Sequence, residues 1–255
     1  MTTWISQRFG QFTYFDEQLG HPAWAGKKVL DFGGNVGNLL VGEEVPIAPV
    51  DYWSMDVSRD AIVEGQRRHP DAHFIFYDRY NFEYNPTGRI GLPLPDPGVR
   101  FDVIVAWSVF THNNQAELLD LVGQARTLLA PGGSLAFSFL DPQWTPPPGW
   151  ARPGDWPGLS NLHRLLMDRK KVDTPADWTP TEALTRAARR ELTYVTLVNS
   201  EELCFDPDDD GISPGSPPQR YIAFCTVPHM HTLFPDAVVL PPVRPERQHC
   251  VVLRG

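Results

Sequence analysis

Apolar residues along this chain recur in short runs bounded by turn signals, the pattern of buried strands alternating with helices. Residues 27–32 (KKVLDF) make the first run, and Gly33, Gly34 and Gly37 follow it, predicting a strand, a glycine turn and a helix. Residues 50–56 (VDYWSMD) repeat the strand signal, with Ser58 placed to cap a helix that starts at Arg59 and fades near His69 and Pro70. Runs at 72–77 (AHFIFY) and 101–107 (FDVIVAW) predict a third and a fourth strand. The Gly/Pro-rich connection between them, over 78–99, is long enough to be a functional surface loop. Asn114 and Glu117 have the spacing of a capping box, and Leu118, Leu119, Leu121, Val122 and Ala125 form the apolar face of the helix behind it. The Pro131-Gly132-Gly133 turn then leads into a fifth strand at 134–140 (SLAFSFL).

From 141 to about 220 the rhythm gives way to Pro- and Trp-rich sequence. Helices are predicted there at 159–171 and 180–192, the second marked by Thr179 as cap, Pro180 in the first turn and Glu182 as the capping-box acid. Residues 194–205 predict a strand pair, and 206–218 a polar loop. Thr226 can cap a short helix reaching Phe234, and residues 237–240 and 249–253 predict the sixth and seventh strands. The sequence therefore predicts one α/β domain over 1–255, with a cap segment at 1–26 and an insertion at 141–220 after strand five.

Composition agrees with a buried core. Of 255 residues 42% are hydrophobic and 21% charged, and no apolar run approaches the roughly 20 residues of a membrane span. The start, MTTWISQRFG, has neither the basic and apolar regions nor the cleavage site of a signal peptide, which predicts a cytoplasmic protein without a membrane partner. Three cysteines, Cys204, Cys225 and Cys250, argue against a disulfide framework. The net charge of −9, with no basic run beyond Arg169, Lys170 and Lys171, disfavours a nucleic-acid partner.

Chemistry enters with DFGGNVGN. Asp31 ends the first strand just before the glycine turn, where a dinucleotide site would hold pyrophosphate and a carboxylate would repel it. Asn35 also stands where G-x-G-x-x-G spacing puts its second glycine. Asp56 ends the second strand, where a carboxylate can accept two ribose hydroxyls, and Asp78 ends the third, where it can accept from an adenine amine.

Together with the turn LLAPGGSLAF, these segments resemble the class I S-adenosylmethionine (SAM)-dependent methyltransferase family over residues 27–140, and more loosely in the C-terminal strands. The resemblance implies a Rossmann-like three-layer sandwich with a seven-stranded, mostly parallel sheet whose last strand is antiparallel. It implies SAM as cofactor and S-adenosyl-L-homocysteine as product. It places the methionine part of SAM at Asp31, Gly33, Gly34, Asn35 and Gly37, the ribose at Asp56 and Val57, and the adenine at Asp78 and Arg79. Trp107 and Ser108 then belong beside the sulfonium, and Tyr14 to a segment that covers the cofactor. Asn35, where the family often has glycine, is a departure that Asn's tolerance of unusual backbone angles softens.

His112 is the nearest candidate base, because an imidazole's ordinary pKa of about 6.5 suits proton removal at neutral pH. It can equally serve only to bond the loop backbone, since transfer to a ready nucleophile can run by proximity. Cys225, His229, His231, His249 and Cys250 lack metal-ligand spacing, so no metal is expected. Trp144, Trp150, Trp156 and Trp178 crowd the insertion, either as a lid over an apolar or aromatic acceptor or as anchors for a Pro-rich loop. The leading reading is methyl transfer to oxygen or nitrogen of a small metabolite or short peptide. Two others stay open: an NAD-dependent reductase, and a module that binds SAM without turnover.

Overall fold

The computed structural model describes residues 10–42, 44–150, 158–167, 171–173, 180–187, 189–199, 202–204 and 221–255. A helix, α1 (Gln11–Gln18), precedes the first strand. The strands that follow are β1 (Val29–Phe32), β2 (Tyr52–Asp56), β3 (His73–Phe76), β4 (Phe101–Ala106) and β5 (Leu129–Phe139). Next come β6 (Lys171–Asp173), β7 (Leu192–Asn199), β8 (Glu202–Cys204) and β9 (Tyr221–Cys225), then β10 (Val238–Leu240) and β11 (His249–Arg254). The other helices are α2 (Arg59–Arg68), α3 (Gln115–Thr127), α4 (Asn161–Met167), α5 (Pro180–Ala187) and α6 (Val227–Leu233).

Seven strands form one sheet in the order β10-β11-β5-β4-β1-β2-β3. The pairs from β5 through β4 and β1 to β2 and β3 are parallel. β11 runs the other way. The N–H of Gly255 donates to the carbonyl of Gly133, whereas Ser138 bonds Gln248, so numbers rise along β5 as they fall along β11. β1 and β2 are buried at every position, as expected of parallel strands covered on both faces, and this is why they read as unbroken apolar runs.

The caps form as the sequence implies. The Ser58 side chain accepts from the N–H of Ala61. The capping box closes reciprocally: the N–H of Glu117 donates to Asn114 Oδ1 at 2.9 Å, and the N–H of Asn114 to Glu117 Oε2 at 3.3 Å. Thr226 caps α6 by accepting from the N–H of His229.

Three expectations are corrected. The helix expected behind the glycine turn shrinks to one 3-10 turn, Asn38–Leu40, because Gly42, Pro46 and Pro49 break the segment before a second turn can form. β5 begins at Leu129 rather than 134, with a register shift against β4 that takes up the Pro-Gly-Gly turn. The strand pair of the insertion is part of a second, four-stranded sheet in the order β6-β8-β7-β9, and Leu192, expected at the end of a helix, starts β7.

The chain divides into two compact units. One is built from the segment up to Val109, Leu118–Phe137 and Val251–Gly255, the other from Phe110–Glu117 and Ser138–Cys250. In the second unit Leu162, Ala187, Val195 and Phe224 form a small core. No helix among the described residues is long and apolar enough to cross a membrane.

Close packing around Phe74 makes one glycine a test of this fold. Gly65 lies inside α2, where Ala would ordinarily be favoured by about 1 kcal/mol. A Cβ there would lie 2.1 Å from Phe74 Cε1 and 2.7 Å from two further atoms of the same ring, so the ring would have to move. Gly65→Ala is therefore expected to destabilise by about 1–3 kcal/mol, the usual cost of overpacking. Thermal denaturation checks this, and an unchanged or higher Tm would refute it.

Candidate cofactor site

The site assembles in the first unit, at the carboxyl ends of β1, β2 and β4. Asp31 pairs in register with Ser54, so Tyr52, Ser54 and Asp56, two apart along β2, share its face of the sheet. The Tyr52 hydroxyl donates to Asp31 Oδ2 at 2.8 Å, and the N–H of Leu39 adds a longer bond of 3.4 Å to the same oxygen. Oδ1 of Asp31 is buried with no hydrogen-bond partner, as is Oδ1 of Asn38 on the following turn. Burial pushes the Asp31 carboxyl up to about 7, against the lowering effect of the Tyr52 and Leu39 bonds.

Asp56 holds the other side of the loop. Its Oδ2 accepts the N–H of Asn35 and its Oδ1 the N–H of Ser58, both at 2.8 Å. Burial raises its pKa too, while those backbone bonds oppose the rise. The Val57 N–H adds to these, and an ionised carboxylate has about four lone-pair sites, so the backbone bonds still leave room for a further donor.

Backbone geometry explains the residue choices. Gly33 has φ of 75°, and a Cβ there would stand 2.4 Å from Val109 Cγ2. Gly34 lies against Asp31, whose Cγ would be 2.7 Å from an added Cβ. Gly37 also adopts the left-handed conformation, at φ 93°. Asn35 stands at φ 50° without being glycine, and its own side-chain oxygen accepts the N–H of Val36 at 2.8 Å. Ser108 is likewise left-handed, at φ 56°.

The direction of the loop amides decides its electrostatics. Each main-chain N–H from Asn35 to Leu40 is accepted within the protein, by Asp56, by Asn35 Oδ1, by the carbonyls of Gly34 and Gly37, or by Asp31. A phosphate-binding loop needs such groups turned outward as a nest for an anion. Here they turn inward, two of them onto the carboxyl groups of Asp56 and Asp31, so the loop presents no such nest.

The remaining predicted residues divide between the edge and its supports. Asp78 lies two residues past β3 and is half-exposed, accepting from Asn85 Nδ2 at 3.1 Å with Arg89 Nε at 3.8 Å. Val57 follows Asp56 directly. The Arg79 guanidinium is buried and donates to the carbonyl of Leu92 and the Tyr77 hydroxyl, with Asp120 at 3.5 Å, so it fastens the 78–99 connection. Tyr14 is buried, edge-on to Trp107 with ring centres 4.5 Å apart, and Phe15 meets the same indole at 6.2 Å. The covering segment is thus a staple that carries α1 onto the end of β4. His112 belongs to the second unit, exposed at the end of the 3-10 turn Phe110–His112. Among the described residues no group of three His, Cys, Asp or Glu could hold a metal ion.

Tyr52 and Val109 are the participants that sequence reasoning missed. Tyr52 was legible only as one more apolar strand residue; the alternation of β2 puts it on the Asp31 face once the register is known.

Comparison with known proteins places this chain in a family. A model described as a methyltransferase domain matches residues 6–188. Among solved structures, the chain is similar in fold to an S-adenosylmethionine-dependent methyltransferase from Mesorhizobium loti, with a TM-score of 0.51 and 16% identity over 96% of this chain and 99% of that one. It is also similar to the glycopeptide N-methyltransferase MtfA complexed with S-adenosyl-L-homocysteine, with a TM-score of 0.50 and 12% identity over 98% of this chain and 91% of that one.

The raised pKa of Asp31 has a stability consequence. Folded, the group keeps its proton up to about 7, whereas in the unfolded chain it loses it near about 3.9. The folded state binds the proton more tightly, so this contribution is full below about pH 4 and is lost as pH rises to about 7. Asp31→Asn cannot titrate yet keeps an oxygen for Tyr52. The stability of wild type minus that of Asp31→Asn is therefore expected to fall from pH 4 to 7 and level off above. Urea denaturation across that range checks it, and a difference independent of pH would overturn it.

Proposed function

The chain belongs to the methyltransferase-domain family, and from that premise we propose that it transfers the methyl group of SAM to oxygen or nitrogen of a small metabolite or short peptide. The observation that carries the cofactor reading is the pair of buried acids, Asp31 and Asp56, under a loop whose amides all turn inward, one of them to each acid. Pyrophosphate would meet carboxylates there; SAM brings an ammonium and a sulfonium. The acceptor oxygens Asp31 Oδ1 and Asn38 Oδ1, buried without partners, suit the N–H donors of an ammonium group. This favours SAM over the dinucleotide of a reductase.

In this reading Gly33, Gly34, Asn35 and Gly37 let the methionine part approach the backbone, and Asp56 with Val57 takes the ribose on its remaining acceptor capacity. Asp78 takes the adenine amine from the edge that Arg79 fastens. Trp107, held by Tyr14, walls the site beside Ser108. The reaction is an in-line displacement at a carbon already activated by the sulfonium, so the protein's work is orientation and exclusion of water. His112 removes the acceptor proton. The insertion at 141–220 supplies acceptor contacts within a single methyltransferase domain, through Trp144 and Trp150, whose rings lie 5.9 Å apart; Trp156 and Trp178 lie outside the described residues. The protein works without metal or nucleic acid, in the cytoplasm.

Two outcomes test the reading. Asp56→Ala is expected to weaken SAM binding by about 1.5–3 kcal/mol, the scale of hydrogen bonds to a charged group, and also to lower Tm, because the N–H groups of Asn35 and Ser58 lose their acceptor. Titration calorimetry with SAM and with NADH reads this directly; unchanged SAM affinity would remove Asp56 from the site, and NADH binding in place of SAM would reverse the assignment. His112→Ala is expected to lower kcat by about 10²-fold while SAM affinity holds. An unchanged rate with saturating acceptor would leave His112 as a loop residue, and SAM binding without transfer to any acceptor would leave only a binding module.

A further inference from the structure

The second unit holds a buried polar group that neither the fold nor the cofactor site uses. His249 opens β11, and Ser138 Oγ donates to the neighbouring Gln248 at 2.7 Å, which fixes His249 at the carboxyl end of β5. Open α/β sheets bind their ligands at that edge. The imidazole is only 6% exposed, and its Nδ1 is buried with no hydrogen-bond partner. Its surroundings are aromatic: Phe139 lies 5.3 Å away at an interplanar angle of 33°, and Trp144 stands edge-on at 6.2 Å.

Trp144, edge-on to His249, and Trp150, whose ring lies 5.9 Å from that of Trp144, are both half-buried, so each indole keeps open surface. The wall is held by a buried Asn161, whose Nδ2 donates to the carbonyls of Asp141 and Arg247, each at 3.0 Å. That amide ties the Trp144 loop to the segment entering β11. The Arg247 guanidinium lies 6.0 Å above the Trp144 ring, which fixes that indole from a further side. The site is therefore rigid, aromatic and furnished with one orphaned hydrogen-bonding nitrogen. A buried polar atom left unsatisfied costs stability, and one at a ligand-binding edge is explained when a ligand satisfies it.

We propose that His249, Trp144 and Trp150 form the acceptor subsite, and that it takes a planar aromatic ring bearing a hydroxyl, the ring against the indoles and the hydroxyl bonded to His249 Nδ1. The inference rests on the methyltransferase reading and names its acceptor class. Burial pushes the His249 imidazole down to about 4, so it stays neutral at physiological pH. It can thus accept from a hydroxyl without removing the proton, and its part is recognition.

The test uses three proteins and two probes. 2-Naphthol carries ring and hydroxyl; 2-methoxynaphthalene keeps the ring but has no hydroxyl to donate. Affinities are measured by saturation-transfer NMR on the full chain, with SAM affinity from calorimetry on the same samples. Wild type is expected to bind 2-naphthol about tenfold more tightly than 2-methoxynaphthalene, the worth of one buried hydrogen bond. His249→Phe should lose that preference while keeping or raising Tm, since it replaces an unsatisfied polar group by an apolar ring. Trp144→Ala should weaken both probes. Equal binding of 2-naphthol to wild type and His249→Phe, no binding to wild type, or a fall in Tm with the preference intact would each overturn the proposal. If SAM fails to bind wild type, the methyltransferase reading itself is at fault; if SAM binds and 2-naphthol is not preferred, only the acceptor subsite falls.

Discussion

The burial of one carboxyl beneath a glycine turn constrains everything around it. Asp31 ends a strand that is inaccessible along its whole length, and the chain must pass directly over it. Gly34 is required because a Cβ would strike the Asp31 carboxyl, and Gly33 because the turn is left-handed and Val109 closes its other side. Tyr52 reaches across from the next strand to bond the carboxyl. Asp56, at the other end of that strand, takes the Asn35 N–H that such a turn would otherwise leave unpaired. Backbone and side chains thus satisfy each other around two acids that a loop built for anions would exclude.

Much of this architecture is legible in the residues because the strands of the parallel sheet are short apolar runs, with an acid at or near the end of β1, β2 and β3. Asp31, Asp56 and Asp78 stand out for the reason that buried runs seldom end on charge. The caps at Ser58, Asn114 and Thr226 are local in the chain and so appear in it directly. What depends on register does not: that Tyr52 faces Asp31, that Phe74 is wedged against Gly65, and that Tyr14 serves as a staple on Trp107 follow only from strand pairing and packing. The missing helix behind the glycine turn shows the opposite failure. Its apolar residues suggested continuation, and the breakers Gly42, Pro46 and Pro49 decided otherwise.

The second unit is less legible for a physical reason. β6 and β8 are three residues long, too short for alternation to register, and β9 is an apolar run of five that could belong to either kind of element. β7 and β8 are neighbours in the chain, but β6 and β9 join them from more distant segments. The segment Phe110–Glu117 also belongs to this unit: Tyr194 accepts the Gln115 N–H at 3.2 Å, and His229 bonds the Gln115 side chain at 2.8 Å. The residues just after β4 are therefore fixed by partners about eighty and more positions later, which no local pattern announces.

The carboxyl of Asp31 sits near the midpoint of its titration at neutral pH, and this couples occupancy of the loop to the proton. A cation entering beside it favours the ionised form, so binding of a positively charged ligand there releases a fraction of a proton to the solvent. In the reading proposed above the ammonium stands beside Asp31 in donor and product alike, so the proton stays released through methyl transfer and returns only when the product leaves.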